Sequence, residues 1–398
     1  MCVSGHACAA AGILSAKWQY DRVRKHDYRK SPMTVREICS LLDRIAPPSA
    51  AYSWDRAGLH TGEPDLHVES VLVALSVEAE TVKEAKRRKA GLIVAHHPLI
   101  WEPLSSLRRD DPHAALCLAL AEQDIACYAV HTNLDVMPEG VSYWLGKQVG
   151  LEEMQPLLPV EHAGQVKLVT FVPQSHVAVL RKAVCGAGAG RIGDYTECSF
   201  SVPGSGTFRP GRGAVPFSGS KGVVNEEAEL RFEVVVPKVR LGQVVRALFE
   251  VHPYETPAYD IVPLENPDPQ IGLGKRGRLR TRMALAVFAE EVRNRLRADH
   301  VRVVGDVKRK VERVAVIGGS GGGELERIPS DIDVVVTGDV RYHEALDARR
   351  RGLAIIDAGH EVTERPIVPV LARYLRKHCK GVRVYTHAEP QLFKIVTK

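Results

Sequence analysis

Val71-Leu-Val-Ala-Leu-Ser76 and Leu92-Ile-Val-Ala95 are unbroken apolar runs separated by a helical stretch over residues 78–89. Such runs, lacking polar alternation, fit strands covered on both faces, as in sheets built from alternating strands and helices. Outward from them the alternation continues, with a helix over 112–123, a strand at 125–130 and a helix near 141–149. Upstream, Val35, Ile38, Leu41, Leu42 and Ile45 fall at helical spacing after Met33, until Pro47-Pro48 breaks the pattern. The pattern predicts an α/β domain with a mainly parallel sheet.

From about residue 163 the grammar changes. Val166-Lys-Leu-Val-Thr-Phe-Val-Pro173 reads as a strand, followed by a helix carrying Val177, Leu180 and Val184 and a strand at 192–202. After a Gly/Pro/Ser-rich stretch over 203–222 come the strand Leu230–Pro237, a helix with Leu241, Val244, Val245 and Leu248, and the strand Ala258–Val262. The order β-α-β-β-α-β is that of a ferredoxin-like module. Past Pro263–Pro269 the first grammar resumes: helix 284–297, strands 313–317 and 332–336, helix 341–350, strand 353–357 and helix 364–377. The expected organisation is a two-half α/β core, residues 33–162 and 266–398, interrupted by an inserted domain at 163–265. Residues 1–32 are expected to be a disordered leader or an over-long start. Their apolar run at 8–16 is followed, not preceded, by basic residues, the wrong order for a secretory signal.

A chain of 398 residues, 45% hydrophobic and 26% charged, has globular composition, which excludes disordered and collagen-like classes. The net charge is +6, and residues 1–32 alone hold six basic against two acidic residues. The rest is nearly balanced, so a nucleic-acid partner is not expected. No run approaches the roughly 18 apolar residues of a membrane span. The eight cysteines form no CxxC pair and several lie in apolar runs, as expected of thiols in a reducing cytoplasm.

Four places put polar residues just beyond a strand's carboxyl end, where open α/β sheets hold ligands. They are His96-His97-Pro98, His131-Thr-Asn-Leu-Asp135, Gly338-Asp339 with His343 four residues on, and Asp357-Ala-Gly-His360-Glu-Val-Thr-Glu364. A helix beginning in the last would place His360 and Glu364 on one face. Singly, each has a bland explanation as a cap or turn residue. Together, imidazole nitrogen and carboxylate oxygen at one sheet rim suit zinc, iron, manganese or nickel rather than calcium. So many donors fit two ions sharing a carboxylate better than one, which points to metal-assisted hydrolysis. His131, His343 and Asp339 are the groups expected to move protons beside the metals. The turn Gly318-Gly-Ser-Gly-Gly-Gly323 lacks the ending of a P-loop and is expected to be structural, with phosphate contact as the lesser alternative.

Trp54-Asp55 with Gly58-Leu59, His96-His97 before Pro98-Leu-Ile-Trp101, His131–Asp135, Thr337–His343 and Asp357–Glu364 together resemble the NGG-one-interacting-factor-three-like family of dinuclear metal-centre proteins, also called GTP cyclohydrolase 1 type 2 homologues. The resemblance spans residues 33–398 and implies that His96, His97, Asp135, His360 and Glu364 ligate two divalent metal ions. It also implies a toroidal homohexamer with the sites facing an internal cavity. The insert, with Gly186–Tyr195 and His252-Pro-Tyr-Glu255, resembles the PII- or CutA-like domain of longer bacterial members, which implies trimerisation or small-ligand sensing. Two departures stand out: Ser76 where an aspartate is expected, and Arg56-Ala57 in place of Asn-Val. They bear on substrate recognition more than on metal binding. The function expected is metal-dependent hydrolysis of a small molecule, a nucleotide or phosphate ester, and the alternative is a metal-binding scaffold whose insert senses a ligand.

Overall fold

The computed structural model describes residues 33–160 and 163–396, so the expectation for residues 1–32 lies outside the described residues. The first stretch runs α1 (Val35–Ile45), β1 (Gly58–Thr61), β2 (Ser70–Ala74), α2 (Ala79–Arg88), β3 (Leu92–Ala95), α3 (Pro112–Glu122), β4 (Ala126–Ala129), α4 (Thr132–Asp135), α5 (Val141–Val149) and β5 (Leu151–Leu158). Next come β6 (Gly164–Pro173), α6 (Val177–Gly186), β7 (Phe200–Phe208), β8 (Asn225–Pro237), α7 (Leu241–Val251) and β9 (Tyr259–Pro267). The chain then continues with β10 (Leu273–Ala284), α8 (Leu285–Leu296), β11 (Arg302–Val304), β12 (Lys310–Ser320), β13 (Val334–Gly338), α9 (Tyr342–Arg350), β14 (Ala354–Asp357), α10 (His360–Glu364), α11 (Ile367–His378) and β15 (Arg383–Thr386).

Three sheets result. The first has the order β1-β4-β3-β2-β15, parallel except at β1. Every residue of β2, β3 and β4 is buried, because α1 and α11 cover one face with Ile38, Leu42 and Leu371 while α2 and α3 cover the other with Val82 and Leu120. The second sheet has the order β11-β14-β13-β12-β10-β5. Its apolar strands are likewise sandwiched, by α5 and α8 on one side and by α9 with the turn after β12 on the other. Burying both faces is what makes these strands read as continuous Val/Ile/Leu runs.

The core is therefore two sheets rather than one mainly parallel one, and they exchange elements. β5 leaves the first stretch to join the second sheet, while α11 and β15 return from the last stretch to the first. Only β12-β13-β14 are mutually parallel in the second sheet. β10, returning from the third sheet, runs antiparallel to both β5 and β12. Helix α5 ties the two cores together, with Val141 in the first and Leu145 and Val149 in the second.

The third sheet, β7-β8-β6-β9, is antiparallel throughout and carries α6 and α7 on one face, the ferredoxin-like arrangement. Its second strand lies at Phe200–Phe208 rather than 192–202. As an edge strand β7 tolerates Pro203 and its glycines, which sequence reading assigns to a loop.

Candidate metal centre

The strands of the first sheet deliver three histidines to one rim. β3 ends at Ala95, and the next two backbone N–H groups, of His96 and His97, both donate to the Leu75 carbonyl, at 3.1 and 2.8 Å. β4, the neighbouring strand, leads through His131 into the short helix α4, which ends on Asp135. From the second sheet, α10 begins at His360 after β14 and ends on Glu364, so four-residue spacing sets both on one face. The loop before it is held by Asp357, which accepts from Gly359 N–H at 3.0 Å and Val340 N–H at 3.1 Å and pairs with Arg302.

Each imidazole has its outer nitrogen held by an oxygen. His96 Nδ1–H donates to the Val130 carbonyl at 2.7 Å, His131 Nδ1–H to Asp55 Oδ1 at 2.8 Å, and His360 Nδ1–H to Asp339 Oδ2 at 2.7 Å. His97 Nδ1 meets Ser76 Oγ at 2.9 Å. Such partners fix the tautomer and aim the other nitrogen, as second-layer groups do around metals. Glu364 Oε2 lies 2.9 Å from His97 Nε2 and 3.1 Å from His360 Nε2. His96 is completely buried, and among the described residues its Nε2 has no hydrogen-bond partner; it faces Asp135 Oδ1 at 3.7 Å and Glu364 Oε1 at 3.6 Å. A buried polar atom left unpaired is costly, and a cation between it and the two carboxylates would satisfy all three.

The electrostatics point the same way. Burial lowers the affinity of His96 for a proton, but Asp135 and Glu364 outweigh it and push its pKa up to about 9. His360, likewise opposed by burial, is raised to about 9 by Glu364 and Asp339. Burial pushes Asp135 up to about 6 against the pull of His96 and His131. Glu364, despite its burial, is held well below the ordinary carboxylate range by His96 and His360. The cluster demands positive charge at its centre.

One ring nitrogen each of His96, His97 and His131 lie within 4.8 Å of one another, and so do donor atoms of His97, His360 and Glu364. These overlapping sets, sharing His97, bring together four of the five expected ligands, and the fifth, Asp135, stands against His96. His131, expected beside the metals as a proton carrier, has a ring nitrogen close enough to ligate. Asp339 stands one layer out, against His360, in left-handed backbone at φ 55°. His343 is exposed on α9 with its ring against Tyr342, outside both donor sets.

Sequence reasoning gave no role to Asp55 and set Ser76 apart from the metal site. Burial opposes ionisation of Asp55, but hydrogen bonds from His131, Thr132 and Arg56 hold its pKa at about 2, so it is a carboxylate. Its signal was present in the Trp54-Asp55 pair, where it is the one ionisable residue. In the glycine-rich turn, the N–H groups of Gly318, Gly319 and Gly321 donate to Ser142, Thr363 and Thr337 side chains, so these amides serve the fold. Gly319 adopts φ 69°, and a Cβ there would sit 2.1 Å from Glu364 Oε1.

The fold and the cluster define an α/β protein whose two core sheets close on a histidine–carboxylate set able to hold metal. The chain belongs to the Duf34/NIF3 (NGG1p interacting factor 3) family, whose model matches residues 33–390. A GTP cyclohydrolase 1 type 2 homolog of Halalkalibacterium halodurans is 39% identical over 326 residues, 82% of this chain and 88% of that protein. The Bacillus subtilis protein of the same name is 37% identical over 355 residues, 88% and 95% of the respective chains. The crystal structure of a Bacillus cereus protein related to NIF3 superposes with a TM-score of 0.78 at 37% identity, covering 92% of this chain and 99% of that one. Among the described residues, no helix is long and apolar enough to cross a membrane.

Proposed function

We propose that this protein is a cytoplasmic, metal-dependent hydrolase of a small molecule, a nucleotide or phosphate ester, working at a dinuclear centre held by His96, His97, Asp135, His360 and Glu364. The observation that carries the reading is the buried, unpartnered His96 Nε2 aimed between two carboxylates. The donor set suits zinc, iron, manganese or nickel. Two such ions would supply Lewis acidity and bring the pKa of a bound water toward neutrality. Glu364, whose carboxylate meets both His97 and His360, would supply an acidic ligand beside these two imidazoles. His131 keeps a proton on Nδ1 for Asp55 and presents Nε2 to the cluster, the tautomer required to accept a proton from an attacking group. Asp339 orients His360, and exposed His343 would act only on a substrate reaching α9. A homohexamer, with the third sheet as a trimerising or ligand-sensing element, completes the proposal.

The test combines elemental analysis and anomalous scattering of the isolated protein with turnover of a nucleotide and phosphoester panel. Two ions per chain and turnover abolished in Asp135→Asn are expected. A verified Asp135→Asn variant with unchanged turnover refutes the reading. A metal-loaded protein that hydrolyses nothing while metal alters its assembly replaces it with the scaffold.

A further inference from the structure

We infer that Tyr52, Trp54 and Trp101 form a shelf for the base of a nucleotide, which sets the substrate class of the proposed hydrolase and rests on that reading. Tyr52 and Trp54 are stacked with centroids 5.6 Å apart and planes 8° from parallel, and Trp101 leans on Trp54 at 5.7 Å. Trp54 is 54% and Trp101 47% exposed. Single exposed apolar residues are ordinary, but a contiguous aromatic patch beside a polar cluster marks a binding surface.

The shelf abuts the cluster directly. The His131 ring is T-shaped to Trp101 and Trp54, with centroids 5.6 and 6.4 Å away, and equally to His96 and His97, with centroids 5.2 and 5.8 Å away. A ligand lying on the indoles therefore has its next atoms over the donor cluster. A nucleotide carries both parts required, a flat ring for the indoles and an anionic group for the cations. Aromatic faces accept any base.

The shelf is also built in advance. Tyr52 N–H donates to Thr132 Oγ1 at 3.2 Å, and the Asp55 carboxylate accepts from Thr132 N–H at 3.0 Å, pinning the Trp54 loop to α4. His60 joins the two tryptophan loops. Its Nε2–H donates to the Arg56 carbonyl at 2.6 Å, and its Nδ1 accepts from Ile100 N–H at 3.1 Å. Burial lowers the His60 pKa, which keeps the neutral ring that this pair of bonds requires. Loops fixed before binding lose less entropy on binding.

The experiment is calorimetric titration of chelator-treated full-length protein with guanosine 5′-monophosphate, adenosine 5′-monophosphate and, as the ringless control, ribose 5-phosphate. Both nucleotides should bind more tightly than the control. Trp54→Ala and Trp101→Ala should each weaken them about 5- to 150-fold, the loss of one base–aromatic stack, and leave the control unchanged, while Trp101→Phe retains most of the affinity. Nucleotides that bind no better than ribose 5-phosphate overturn the inference. So does a change of oligomeric mass in the alanine variants, which would mean that the shelf packs against a second copy. Tight nucleotide binding without turnover by the metal-loaded protein keeps the shelf and removes the hydrolase; turnover of ringless phosphoesters indifferent to both tryptophans does the reverse.

Discussion

Replacing Lys275 by methionine should stabilise the protein at neutral pH. Lys275 lies on β10, between β12 and β5, with Val316 and Pro156 as its cross-strand neighbours. It is 3% exposed, and no charged neighbour offsets the effect of that burial. Burial, with nothing opposing it, brings its pKa from 10.5 to about 8. At neutral pH the ammonium is therefore carried into the sheet at a cost of about 3 kcal/mol, taking roughly 1.4 kcal/mol per pKa unit. Between pH 8 and 10.5 the unfolded chain binds more protons at this site than the folded one, so stability rises with pH through that window. Methionine keeps the stem's length and removes the charge. Thermal unfolding followed by circular dichroism should show Lys275→Met more stable by about 3 kcal/mol at pH 7, with about half of the gain gone by pH 9.5. A variant no more stable than the parent, or a gain independent of pH, refutes the reasoning, since either would mean that the ammonium reaches water or a partner.

Gly319→Ala should fold, judged by circular dichroism, yet lose bound metal on elemental analysis, because its Cβ would stand 2.1 Å from Glu364 Oε1 in a backbone at φ 69°; full occupancy would contradict this. Ser76→Ala leaves His97 Nδ1 without its oxygen partner and should weaken zinc binding about 10-fold, measured by competition with a chromophoric chelator. Ser76→Asp should tighten it. Chelation should lower the unfolding temperature and added zinc restore it, since a ligand that binds only the folded state stabilises by RT ln(1 + [L]/Kd); Asp135→Asn should show a smaller recovery.

Local chemistry made the separate pieces of the site legible. His96 and His97 follow a fully apolar strand, so their position at a strand end could be read directly. His360 and Glu364 share a face because a helix starts where the sequence puts them four apart. What escaped reading depends on distant segments. That Asp55 would hold His131, or Ser76 hold His97, required two loops to meet across 76 and 21 residues of chain. The division of the core into two sheets was illegible for a similar reason: a strand such as β5, apolar only at Leu151, Leu157 and Leu158 among its buried residues, carries no mark of the sheet it will join. β7 was misplaced because Pro and Gly signal turns in general, whereas only an unpaired edge excuses them within a strand.

The exchange of β5, α11 and β15 between the sheets bears on how the site is made. Neither sheet alone owns a complete donor set. His96, His97 and Asp135 come from the first, His360 and Glu364 from the second, and the closest contact across the divide is between His97 and Glu364, at 2.9 Å. Two separately folded units joined only by that polar contact would drift apart, since five ionisable groups supply little apolar area to hold the hollow shut. Holding falls instead to α5, whose Val141 and Leu145 enter different cores, and to the segments that cross over. The crossover makes the site's geometry a consequence of core packing, so the imidazoles are aimed before any cation arrives. For the same reason a cavity at Leu145 of α5, which packs in the second core, should disturb metal affinity in chelator competition as well as stability.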